Sequence, residues 1–360
     1  MPRSPKIPPF QIGTHQVEAG QRAQISLPVG SFLTHEELVL KAVVVHGKLP
    51  GPTLLLTACI HGDEYNGSEV IRRILRTPAL KKLKGTLIAV PIVNRPGFVT
   101  RSRYMPDRRD LNRLFPGSPN GPLGSRLARV LSDSLLPLCD VVIDLHTGAV
   151  NRPNLPQIRI TVDDDKALEL AKSFAPPVIL VAPKRESSFR GTCRDLNKPV
   201  LLFESGEALR LDTPSIRFGV QGVLSVMRQM GMLSLKKPSS PRAAPIISNK
   251  SYWERAPRGG IFTPLAPLGR VVTAGSVIGF IADPYGSAET EVTCTRSGIV
   301  IGRTNDATAD EGDGLFHIAM TDKLDSAEDR LAMTSEALPS LNADTDDHPV
   351  PYDSIQDTVI

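Results

Sequence analysis

Three side chains, His61, Glu64 and His146, have the chemistry to grip one divalent cation. An imidazole and a carboxylate three residues apart can share a metal, and nitrogen with oxygen ligands suits zinc. Taken alone, the pair is a weak signal, because His-x-x-Glu recurs by chance. His146 strengthens it, since catalytic zinc sites usually take three protein ligands and leave a fourth position for water. A satisfied core histidine is the competing reading of His146 by itself. Asp144, two residues earlier, is placed to hold the imidazole from behind. The expectation is one Zn2+ per chain on His61, Glu64 and His146.

Each of these residues ends an element able to aim it. Residues 53–57 are an apolar run that reads as a buried strand, and in residues 65–75 Val70, Ile71, Ile74 and Leu75 recur at helical spacing. His61 and Glu64 therefore occupy a strand-to-helix turn at the carboxyl end of a strand, where open α/β sheets bind ligands. Residues 141–145 form a second run, ending at His146, and residues 199–203 a third, ending at Glu204. A carboxylate closing a strand is ordinarily a cap or an exposed charge. Beside a zinc site it is the natural general base. Glu207 competes for that role; Glu204 is preferred because it directly ends the apolar run.

His61-Gly62-Asp63-Glu64, Asp110-Leu111-Asn112-Arg113, Asp144-Leu145-His146 and Glu204, in that order, resemble the succinylglutamate desuccinylase/aspartoacylase family of the wider zinc carboxypeptidase group. The likeness covers about residues 10–320. It implies a zinc-dependent amidohydrolase, a deacylase cleaving the amide bond of N-acylated amino acids or related small carboxylates. Arg103, just before Tyr104, stands where the family polarises the scissile carbonyl, a task suited to a permanently charged guanidinium. Asn112 and Arg113 stand where it holds the substrate carboxylate, which a fork of donors can grasp. Extra residues between Tyr104 and Asp110 depart from the family pattern at Arg103. Arg190 and Arg194 fall near a family contact to a second anionic group, without clean alignment, and Arg194 is kept as a substrate-binding candidate.

The fold expected is α/β, a mixed, mostly parallel sheet flanked by helices, with a small C-terminal all-β barrel-like domain. Residues 1–234 read as the catalytic domain, opening on an antiparallel hairpin within the first 50 residues. Residues 94–122 read as a long Arg-rich loop, and helices are expected at 123–136, 166–175 and 220–232. Residues 235–250 read as a linker, and 251–322 as glycine-punctuated short strands similar to biotinyl and lipoyl carrier domains. That similarity supplies a rival reading, a non-catalytic carrier or metal-binding protein. A carrier needs a lysine on a hairpin turn, and the matching turn at 283–287 has none. The small domain is read instead as a cover for the active site or an oligomer contact, and His317 as structural. A zinc carboxypeptidase acting on short peptides is the other alternative.

The 360 residues are 41% hydrophobic, enough for a large core, and no apolar run is long enough to span a bilayer. The basic Met1 to Lys6 segment lacks a following apolar stretch, so a cytoplasmic protein is expected, and the four scattered cysteines read as reduced, structural thiols. Residues 323–360 read as an acidic, disordered tail, with nine acidic residues and one arginine from residue 324 to the end. Against a net charge of +4, that leaves the body at about +12. No nucleic-acid motif accompanies the basic body, so a small anionic N-acyl substrate is the expected partner.

Overall fold

The computed structural model describes residues 7–235, 243–340 and 358–359. Its centre is three parallel strands, Leu49–Ala58, Val141–Gly148 and Val200–Glu207, lying side by side. Lys84–Val90 continues the parallel set beyond the first of them. The expected leading hairpin, Arg22–Ser31 with Glu37–His46, joins antiparallel at that edge. Beyond the Glu204 strand, Asn154–Thr161 runs antiparallel, which makes the sheet mixed. Val141–Gly148 is buried along its whole length, as a parallel strand covered on both faces must be.

Alternation along the central strands sorts their side chains between two cores. Leu54, Leu56, Ile143, Leu201 and Phe203 face helices Asn66–Arg76, Asp165–Phe174 and Thr213–Gln229. Leu55, Val142 and Val200 face the opposite way, against helix Leu123–Ser134 and the leading hairpin. Asp144, His146 and Glu204 have the parity of this second set. The strands thus carry all three to one face at their carboxyl ends.

Helix Thr213–Gln229 begins seven residues before the expected start, at an Asp212 cap with Pro214 in the first turn. Its Gly219 and Gly222 lie against the first core. A methyl group at Gly222 would come within 2.1 Å of the Phe174 ring, and Phe174 is itself fully buried. With no space for the ring to yield, Gly222→Ala is expected to destabilise the fold by about 1–3 kcal/mol. A denaturant midpoint equal to that of the native chain would show that the helix can lift without cost.

Several segments differ from expectation. Residues 94–122 are not one loop: Asn94 caps a short helix, Arg95–Thr100, and Asp110 caps a 3-10 turn, Leu111–Arg113. Both starts depend on local side-chain caps rather than apolar periodicity. Strand Val178–Ala182 and helix Phe189–Asp195 went unforeseen, being too short to show a period. Within the expected linker, Ile246–Ser248 adds a parallel strand beside Val178–Ala182. The disordered-tail reading is corrected over Leu324–Ser340, which is helical. Ala327 is buried there among Val178, Leu180, Ile246 and Ile299, a small side chain that composition does not flag as core. The remainder of the tail call, apart from 358–359, lies outside the described residues.

The C-terminal antiparallel strands enclose their own core around Phe262, Ile278, Val300 and Phe316. The Val277–Ala282 and Glu289–Thr293 hairpin carries the turn that a carrier would modify, and Asp283 fills it by accepting the Tyr285 and Ser287 amides. Strand Gly298–Arg303 meets Asn154–Thr161 through Gly302 and Asn154, so this β unit is continuous with the main sheet.

His317, on strand Gly314–Met320, stacks on Trp253 and has Nε2 2.9 Å from the Ser251 hydroxyl. Burial, with the Arg159 guanidinium adding, lowers its pKa to about 3. The unfolded chain therefore binds a proton that the folded chain refuses. Stability is complete above the ordinary histidine range and declines as pH falls from about 6.5 towards 3, at a limiting slope of about 1.4 kcal/mol per pH unit. His317→Gln should flatten that part of the acid-unfolding curve. An unchanged slope would remove His317 as its source.

Candidate metal centre and active site

The turn after Leu49–Ala58 is built by close approach. A methyl group on Gly62 would meet the Gly97 backbone at 2.1 Å, so helix Arg95–Thr100 packs directly on the turn. Cys59 takes the left-handed conformation at φ 55°, and its thiol donates to the Glu64 carbonyl at 3.2 Å. Burial pushes that thiol far above the ordinary range, which leaves it unreactive. All four cysteines are free and buried, as structural thiols would be.

His61, Glu64 and His146 converge. One ligand atom from each lies within 4.8 Å of the others, and all three residues are buried. Both imidazoles turn Nδ1 towards the Glu64 carboxylate, His61 at 2.7 Å from Oε1 and His146 at 2.8 Å from Oε2. The outward Nε2 of each meets a second carboxylate: His146 lies 2.7 Å from Asp144, and His61 3.2 Å from Asp110. Asp144 in turn accepts the Thr57 hydroxyl at 2.7 Å, across the strand pair. Carboxylates behind the imidazoles fix ring orientation and raise ligand basicity, so the donor set suits a divalent cation.

The electrostatics agree. Burial disfavours charge on His146, yet Asp144 and Glu64 outweigh it and hold its pKa well above the usual value. His61 is raised in the same way, against its own burial, by Glu64 and Asp110. Glu64, although fully enclosed, is held below the carboxylate range by the two imidazoles. A buried pocket in which carboxylates meet both nitrogens of each imidazole favours a cation, and metal must compete there with protons.

Arg103 reaches both carboxylates, with Nη2 3.0 Å from Asp110 and Nη1 3.3 Å from Glu64. Arg103 thus lies beside the cluster. Asn112 accepts the Phe189 amide at 2.9 Å, which ties the 3-10 turn to helix Phe189–Asp195. Arg113 donates to the Asn112 carbonyl at 2.6 Å, and it forms no ion pair among the described residues.

Glu204 stands in register opposite His146 on the neighbouring strand. Its Oε2 accepts from Asn154 at 3.0 Å, and its Oε1 lies 3.9 Å from Arg159. Glu207 lies past an irregularity in the same strand and pairs with Arg210 at 2.5 Å. The other two arginines point elsewhere. Arg194 donates to the Asp163 carbonyl at 2.9 Å, and buried Arg190 donates to the Ile160 and Pro183 carbonyls, so neither shares a hydrogen bond with the cluster. Sequence reasoning gave no role to Asp110, Thr57, Asn154 or Arg159. Asp110 was within reach, since it opens the motif that contains Asn112 and Arg113; the others belong to strands whose register only folding sets.

A mixed sheet with a buried His–Glu–His cluster at the carboxyl ends of its parallel strands defines an α/β enzyme with a candidate metal centre. The model of the succinylglutamate desuccinylase/aspartoacylase catalytic domain matches residues 50–230, and the chain belongs to that family. It is accordingly a hydrolase acting on amide bonds. An N-alpha-acetyl-L-2,4-diaminobutyric acid deacetylase from Halomonas elongata is 28% identical over 316 residues, 84% of this chain and 92% of that one. A succinylglutamate desuccinylase/aspartoacylase structure from Rhodobacter sphaeroides superposes with a TM-score of 0.75 at 28% identity, covering 84% of this chain and 95% of its own. A succinylglutamate desuccinylase structure from Silicibacter also gives 0.75, at 26% identity, covering 88% and 98%. Among the described residues no helix is long and apolar enough to cross a membrane.

Proposed function

We propose that the chain is a zinc-dependent deacylase that cleaves the amide bond of N-acylated amino acids or related small carboxylates. The observation that carries this is the convergence of His61, Glu64 and His146 donors within 4.8 Å, with Glu204 in register beside His146. Zinc held by those three side chains would polarise the scissile carbonyl and acidify a water. Glu204 takes the proton of the attacking water and returns it to the departing nitrogen, so that amide cleavage yields a carboxylic acid and a free amine. Arg103, beside the cluster, presents a permanent positive charge to the oxygen that becomes anionic. Arg113, which forms no ion pair among the described residues, binds the substrate carboxylate together with Asn112. The acetylated diamino acid processed by the Halomonas relative is a natural first member of the substrate panel.

The test is metal analysis of the purified protein beside hydrolysis of Nα-acetyl-2,4-diaminobutyrate, N-acetyl and N-succinyl amino acids and short peptides. Stoichiometric zinc with turnover of acyl amino acids is expected. Faster cleavage of peptides, or full activity after exhaustive chelation, would overturn the assignment.

A further inference from the structure

We infer that the C-terminal β unit contributes to catalysis by holding Asn154, which in turn positions Glu204. The inference rests on Glu204 being the base proposed above. A glutamate side chain has three rotatable bonds, and a base misplaced by about 1 Å can cost about 10²-fold in rate. Something must therefore hold the carboxylate. Strand Asn154–Thr161 supplies the visible restraints: Asn154 donates to Oε2 at 3.0 Å, and Arg159 lies 3.9 Å from Oε1. The first is a formed hydrogen bond; the second is a charge at a distance, with no fixed geometry.

Asn154 is itself fixed from the other side by strand Gly298–Arg303. Gly302 is its pairing partner, and a methyl group there would sit 2.8 Å from Asn154 Oδ1 and 3.3 Å from the His317 β-carbon. A β-carbon at 302 would have to push the Asn154 amide aside, whereas the Pro153 carbonyl oxygen stands at an ordinary 3.8 Å. The strand is irregular between Val300 and Gly302, and the Ile301 carbonyl there accepts Gln157 Nε2 at 3.2 Å. Gln157 is fully buried and stands in register with Glu204. Farther along, the Asn305 amide bonds the Asn151 carbonyl, and Asn151 bonds Asp306, each at 2.7 Å. The β unit thus grips residues 151–157 at both ends of the stretch facing Glu204. Its role is more specific than a cover: it sets the aim of one carboxylate.

The experiment compares Asn154→Ala, Gly302→Ala and the double variant, with Glu204→Gln as reference, all measured for kcat, KM and bound metal. Asn154→Ala is expected to lower kcat about 10- to 100-fold while KM stays within about twofold and metal content is unchanged. Gly302→Ala, which touches no part of Glu204, should lower kcat about tenfold by displacing Asn154. The double variant should be no worse than Asn154→Ala alone, because residues acting through one another are not additive. A general loosening of the fold would instead multiply the two effects, and that result would overturn the inference. Native kcat in Asn154→Ala, with Glu204→Gln inactive, would overturn it too, leaving the base assignment intact. If Asn154→Ala does not fold, Gly302→Ala decides alone, and an unchanged kcat there refutes the coupling. An active Glu204→Gln enzyme removes the base, and this inference with it.

Discussion

Glu204→Gln should leave a folded protein with its full complement of metal and a kcat lowered by about 10²–10⁴-fold, the usual worth of a positioned general base. The substitution keeps the shape of the side chain and an acceptor oxygen for Asn154, so packing around the end of strand Val200–Glu207 should hold. What it removes is the ability to take up and return a proton. KM should change little, because Arg113 and Asn112 lie on a separate turn, Leu111–Arg113. Steady-state kinetics beside metal analysis separate these quantities. Retained metal with native turnover would transfer the proton to another group. Glu207 is the poorer substitute, being paired to Arg210 beyond the irregularity in the strand.

His146→Ala is expected to act on binding and folding together. The imidazole is one of three donors to the candidate metal, and losing it should drop the bound metal far below one per chain and activity to background. It also stands between two buried carboxylates, Glu64 and Asp144, at 2.8 and 2.7 Å. Removing a partner from such an arrangement leaves uncompensated charge and typically costs about 3–5 kcal/mol. Asp144 would keep only the Thr57 hydroxyl among these partners, and Glu64 would retain His61, Arg103 and the Thr147 amide. Metal content and denaturant midpoint should therefore fall together. An unchanged metal stoichiometry would exclude His146 as a ligand, whatever happened to stability.

The charge pattern was only partly readable before folding. A basic body was evident from residue counts, but guanidinium positions were not. Arg103 and Arg113, carried by motifs, sit beside the cluster or on the turn next to it. Arg190 and Arg194, inferred from loose spacing, are bonded to carbonyls elsewhere. Arg159, on a strand that periodicity did pick out, lies 3.9 Å from the proposed base. A long flexible side chain can turn either way whatever element carries it. Spacing along the chain does not settle which way it turns.

What the sequence determined by itself was set by short-range chemistry. Apolar runs bounded by His61, His146 and Glu204 specify strands with polar tips, and helical spacing specifies what covers them. The candidate metal triad was legible because two of the chain's seven histidines, His61 and His146, follow apolar runs, and Glu64 stands three residues from the first. Short elements such as Arg95–Thr100, Val178–Ala182 and Ile246–Ser248 escaped, since three to six residues carry no usable period. Tertiary structure alone decided which strand lies beside which, and in what register. Glu204 faces His146, and Asn154 is caught between Glu204 and Gly302, because hydrogen-bonded strands from distant parts of the chain align residue by residue. Register arises from packing the whole sheet at once, so no local stretch of the chain encodes it.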